Sequence, residues 1–142
     1  MNDSIIIAHR GLDEIYPENT IAAFKAALKK GMAIEIDARG TVDEHIVIMH
    51  DDTVDRTTNG SGEVAKMTLS ELKDLDAGSW WSSEFKGEQI PTLEETFDAV
   101  KKHGTAETAL ILEMKTLAPV SYTHLRAHET LRYLVCRLLL EK

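Results

Sequence analysis

The stretch Ile34–Asp52, IEIDARGTVDEHIVIMHDD, decides how the chain is read. Side chains of a strand alternate between its faces, so Glu35 and Asp37 project together from one side while Ile34 and Ile36 project from the other. Two carboxylates held together repel unless a cation neutralises them, and paired oxygen ligands suit a hard ion, Ca²⁺ or Mg²⁺. The plainer alternative is a polar strand end flanked by acids. Thr41-Val42-Asp43-Glu44 then reads as a turn, Ile46-Val47-Ile48-Met49 as a second apolar strand, and His50 stands at its end.

Working outward towards the N-terminus, Ser4-Ile5-Ile6-Ile7-Ala8 is a short apolar, β-branched run of the kind buried on both faces of a parallel sheet. It closes on His9-Arg10-Gly11. Pro17-Glu18-Asn19-Thr20 forms a loop in which Asn19 or Thr20 can cap a helix opening at Ile21 and closing at Lys29-Lys30-Gly31. Strand, helix, strand makes a βαβ unit with parallel pairing.

Towards the C-terminus, Asp51 to Gly62 is rich in Thr, Asp, Asn and Gly and reads as an ordered loop over a site. Thr68-Leu69-Ser70-Glu71 is a capping box, and so is Thr92 with Glu95, which opens a helix ending at His103-Gly104. Ala77 to Trp81 is an irregular connection whose tryptophans are expected to pack the loop rather than close over a ligand. Leu110 to Lys115 repeats the earlier pattern, with Glu113 and Lys115 on one strand face.

Strand ends thus present His9, then Glu35 with Asp37, then His50, then Glu113 with Lys115. In parallel α/β folds such ends face one rim, where active sites collect. Two imidazoles can divide acid and base work, three carboxylates can hold a divalent ion, and Arg10 with Lys115 can neutralise phosphate oxygens. The set suits cleavage of a phosphoryl ester.

Composition agrees. The length of 142 residues fits one modest domain, and a net charge of −8 argues against general nucleic-acid binding, which needs a basic surface. A bound cation could still reverse the local field for a phosphate. No apolar run is long enough to span a bilayer, and MNDSIIIAHRG lacks the pattern of a secretory leader. The single cysteine, Cys136, excludes an intrachain disulfide framework, so a cytoplasmic setting is expected. No oligomeric state is specified.

The segments HRG, PENT, IEID, HDDTVDRTTNGSG, IPTLEE and LEMK, in this order and spacing, resemble the glycerophosphodiester phosphodiesterase family over Ile5 to Lys115. The resemblance implies a TIM-barrel hydrolase that cleaves glycerophosphodiesters to glycerol 3-phosphate and an alcohol with a divalent metal. It further implies His9 and His50 as the acid/base pair and Glu35, Asp37 and Glu113 as metal ligands. Arg10, Glu18 and Lys115 would line the phosphate and glycerol pocket. One departure is Asp43-Glu44, which stands where the family usually has Asp-Gly.

A (β/α)₈ barrel runs to about 250 residues, and the family pattern here stops at about the fourth strand. The expected organisation is therefore a partial barrel domain over 1–118 followed by a non-native tail over 119–142. That tail resembles translated adaptor sequence, with a junction near Leu117 to Ser121. Residues 121–142 have four Lys/Arg against two Asp/Glu and so carry +2, leaving −10 for the remainder. Leu131, Leu134, Val135, Leu138 and Leu139 have helical spacing and predict a helix. His124 and His128, one helical turn apart, lack a third ligand for zinc. Two other readings are open: an inert metal- or ligand-binding fragment, and a related phospholipase acting on lipid phosphodiesters.

Overall fold

The computed structural model describes residues 5–116 and the backbone of 134–138. Their centre is a sheet ordered β1 (Ile7–Ala8), β2 (Ala33–Gly40), β4 (Leu110–Thr116), β5 (Leu134–Leu138), all parallel, with β3 (Ile46–Ile48) paired to β2. Among the described residues three α-helices accompany it: α1 (Ile21–Lys29), α2 (Leu69–Lys73) and α3 (Leu93–His103).

The alternation expected of β2 sets the layers. Ile34, Ile36 and Ala38 face α1 and α3 and are fully buried with Phe24, Leu28, Leu93 and Phe97 in one apolar cluster. Fully burying each phenylalanine stabilises the packing by roughly 1.5–3 kcal/mol. Leu110, Leu112 and Met114 of β4 join the same cluster. Glu35, Asp37 and Glu113 therefore share the opposite face, and the register places Asp37 directly beside Glu113.

The helices begin where their caps dictate. Thr20 accepts from the Ala23 amide, and Thr68 with Glu71 and Thr92 with Glu95 form complete capping boxes. Trp80 donates its indole N–H to the Ala77 carbonyl at 3.0 Å and meets Trp81 edge-on. Trp80 is thereby tied into its own loop, while Trp81 is exposed. A second cluster, Val47, Met49, Val54, Val64, Leu72, Ala77 and Ile90, ties β3 to α2 and the long connection.

Three expectations need correction. Hairpin pairing joins β3 to β2 in antiparallel fashion, so His50 does not close a parallel barrel strand. Residues 41–45 are too few for a parallel crossover, which takes a dozen or more, and a hairpin is what a connection of that length allows. Secondly, the first strand is not buried on both faces: Ile5, Ile6 and Ile7 are 68%, 63% and 49% exposed. β1 pairs only with β2 and is an edge of the described sheet. Thirdly, Leu134 to Leu138 is a strand against β4, not a helix. The short segment Leu134-Val135-Cys136-Arg137-Leu138 fits either state, and the N–H and C=O groups along β4 offer a ladder that a lone helix would not satisfy. His124, His128, Leu131 and the proposed junction lie outside the described residues.

In the hairpin turn Glu44 has φ +67°, a left-handed conformation that costs an L-residue roughly 1 kcal/mol. Its side chain is exposed. Glu44→Gly is expected to raise stability by at most about 0.5 kcal/mol, because relief of strain slightly outweighs the added unfolded-state entropy. Equilibrium unfolding in urea checks this, and a lowered midpoint would count against it.

Candidate active site

Three turns aim side chains at the polar face of the sheet. After β1 the chain turns through Arg10 at φ +49° and Gly11 at φ +82°. The turn directs the Arg10 amide onto Glu35 Oε2 at 3.1 Å, while the Arg10 carbonyl accepts from the Asn19 amide at 2.9 Å. Gly11 is required twice over. It carries positive φ, and a Cβ there would lie 2.7 Å from Ala23 Cβ and 2.8 Å from the Ala23 carbonyl carbon in α1. Asn19, itself at φ +54°, donates its side-chain amide to Asp37 Oδ2 at 2.9 Å.

Asp37 is 1% exposed and sits at the centre of this arrangement. Arg10 Nε lies 3.4 Å from Asp37 Oδ2, and Lys115 Nζ lies 3.4 Å from its Oδ1. Lys115 also donates to Glu113 Oε1 at 2.6 Å. Burial opposes the Lys115 charge, yet Glu113 and Asp37 outweigh it and hold the ammonium above its ordinary range. One carboxylate oxygen from each of Glu35, Asp37 and Glu113 falls within 4.8 Å of the others. Burial, then the Asp37 charge, pushes the Glu35 carboxyl up from its usual value. An all-oxygen cradle of three acids, one of them left short of counter-charge, fits a hard divalent cation.

The two histidines stand differently. His9 is exposed, with Nδ1 bonded to Asp13 Oδ2 at 2.8 Å. His50 is brought back beside Asp37 by the hairpin: the Met49 amide donates to the Asp37 carbonyl, and Arg39 donates twice to the His50 carbonyl, at 2.6 and 3.0 Å. His50 Nδ1 meets Asp51 Oδ1 at 2.7 Å. Glu18 is only 12% exposed at its side chain and is shared between Arg10 and Arg56. Burial resists its ionisation, but the two guanidiniums outweigh this and lower its pKa.

All eight residues singled out in the sequence therefore belong to the polar rim, with His9 and Asp13 at its exposed side. The sequence pattern does not mark Asn19, Asp51 and Arg56 as site residues. Asn19 had a competing capping role, Asp51 carried only its adjacency to His50, and the pairing of Arg56 with a residue 38 positions earlier has no local pattern. A groove of about 430 Å³ between α1 and α3, lined among others by Lys25, Glu95, Asp98 and His103, lies on the helix side of the sheet, away from this chemistry.

A family model described as the glycerophosphoryl diester phosphodiesterase family matches residues 9–138. The chain belongs to this family. Its first matched residue is His9, and the match runs through β5. A glycerophosphodiester phosphodiesterase of Caldanaerobacter subterraneus subsp. tengcongensis is 48% identical over 114 residues, 80% of this chain and 46% of that protein. The chain thus spans about half the length of the curated relatives it matches. The crystal structure of the glycerophosphodiester phosphodiesterase from Agrobacterium tumefaciens C58 superposes with a TM-score of 0.84 at 35% identity, covering 94% of this chain and 57% of that one. An Oleispira antarctica phosphodiesterase in complex with the product sn-glycerol-3-phosphate gives 0.66 at 29% identity, covering 94% and 64%. The α/β architecture is part of the TIM-barrel fold of these family members. Among the described residues no helix is long and apolar enough to cross a membrane.

Proposed function

We propose that the chain carries the catalytic rim of a glycerophosphodiester phosphodiesterase that releases glycerol 3-phosphate and an alcohol, with Glu35, Asp37 and Glu113 as ligands for Ca²⁺ or Mg²⁺. The observation that carries this reading is the convergence of three carboxylates with Arg10 and Lys115 on one sheet face. A divalent cation in that cradle would supply Lewis-acid polarisation of a phosphoryl oxygen. Arg10 and Lys115 neutralise phosphate oxygens, with Arg10 held in place by Glu18. One of His9 and His50 takes the proton from the attacking oxygen as it bonds to phosphorus, the attacker being water or else the glycerol 2-hydroxyl, in which case water then opens the cyclic phosphate to glycerol 3-phosphate. The other protonates the alkoxide as the second P–O bond breaks. The product sn-glycerol-3-phosphate held by the Oleispira relative supports the substrate class.

The test is ³¹P NMR of the purified chain with glycerophosphocholine or lysophosphatidylcholine, each with Ca²⁺, Mg²⁺ or chelator. Ion-dependent release of glycerol 3-phosphate from glycerophosphocholine is expected. Ion binding without release would make the chain an inert binding fragment, and preference for the lysolipid would make it a phospholipase.

A further inference from the structure

Arg56 sits in the loop after β3, and nothing in the proposed reaction uses it. Its guanidinium nevertheless makes four hydrogen bonds to two carboxylates. Nε and Nη2 reach Asp51 Oδ2 and Oδ1 at 2.7 and 3.1 Å, while Nη1 and Nη2 reach Glu18 Oε2 and Oε1 at 2.9 and 2.8 Å. Each carboxylate has a second task. Glu18 Oε1 accepts from Arg10 at 3.1 Å, and Asp51 Oδ1 faces His50 Nδ1 at 2.7 Å. A planar fork that engages two acids at once fixes both directions, which a point charge on a flexible stem cannot do.

We propose that Arg56 is a positioning residue: by holding Asp51 and Glu18 in one frame it keeps the His50 ring in the tautomer with its proton on Nδ1 and Nε2 free as a base. The chemistry follows from Asp51. Hydrogen bonds from Arg56, followed by that from His50, hold its carboxyl far below the usual range, so it is an acceptor only. An acceptor at 2.7 Å requires a donor opposite it, and Nδ1 can donate only when it carries the proton. Arg39 anchors the backbone of the same residue through the His50 carbonyl, so the ring turns on a fixed stem. Without Arg56, Asp51 loses the partner that fixes its plane, and the ring loses its fixed acceptor. The same event releases Glu18 from one of the two arginines it bridges.

The inference rests on reading His50 as a proton-handling group, but its test does not involve turnover, so failure of one is distinguishable from failure of the other. The experiment records side-chain ¹⁵N shifts of His50 in the whole chain at about pH 8.5, roughly two units above the ordinary histidine pKa. The unsubstituted protein is expected to show one protonated nitrogen, Nδ1, and one bare nitrogen, Nε2. Arg56→Ala should lose that split, giving averaged shifts for the two nitrogens, and Asp51→Asn should lose it too. The Arg56 side chain is 46% exposed, so its truncation should leave the fold intact. Should the alanine variant fold poorly, Arg56→Lys, which keeps the stem and one charge, is read by the same criterion. A split retained in the folded Arg56 variant, or in Asp51→Asn, overturns the proposal.

Discussion

Replacing His50 with alanine is expected to lower turnover of glycerophosphocholine by about 10²–10⁴-fold while leaving cation affinity within about threefold of the original. The two effects separate because of geometry. The carboxylates come from β2 and β4, which are locked by parallel pairing from Ile34 against Leu110 to Asp37 against Glu113. The hairpin is hydrogen-bonded to this ladder at His50 through the main chain, by way of the Met49 amide on the Asp37 carbonyl and Arg39 on the His50 carbonyl. Alanine preserves both of those contacts. What it removes is the imidazole and the partner of Asp51, which keeps its bonds to Arg56. Isothermal titration with Ca²⁺ or Mg²⁺, run beside the ³¹P assay, reads both quantities. Near-normal turnover would remove His50 from the proposed acid/base pair, and a collapse of ion binding would show that it supports the cradle.

How much of this was legible beforehand depended on how local the physics is. The shared face of Glu35 and Asp37 follows from strand alternation alone, and Ile34 and Ile36 land on the helix side as that alternation requires. The two capping boxes are four-residue devices and form as read. The antiparallel return of β3 is also legible, since the connection over residues 41–45 is too short for a parallel crossover. Burial of Ile5 to Ile7 was not readable, because it depends on what lies beside β1 and not on the run itself. Leu134 to Leu138 shows the same dependence. Its pairing partner, β4, decided a contest that the spacing of leucines could not. The Arg56 bridge lies furthest from local pattern, joining Glu18 and Asp51 across two loops.

Asp37→Ala is expected to cost about 3 kcal/mol in chelator, a fall of about 10 °C in Tm for a chain of this size, and to weaken cation binding by at least about 100-fold. Two opposing terms decide the sign. Removing Asp37 relieves repulsion with Glu35 and Glu113, whose nearest ligand oxygens lie within 4.8 Å. It also strips the Asn19 amide of its acceptor at 2.9 Å and leaves Arg10 and Lys115 without a carboxylate at 3.4 Å. Attraction at these shorter distances exceeds the repulsion, and the buried site screens neither with bulk water. The loss is deepened because Arg10 Nε already lacks a hydrogen-bond partner, so the Asp37 carboxylate at 3.4 Å is the charge that compensates that buried N–H. Asp37→Asn isolates the charge: it keeps the shape and one acceptor, so it should recover part of the stability yet bind the cation as weakly as alanine does. Thermal unfolding with and without Ca²⁺ or Mg²⁺ separates the contributions. An alanine variant that melts with the original chain in chelator would mean that like-charge repulsion at this rim is the larger force.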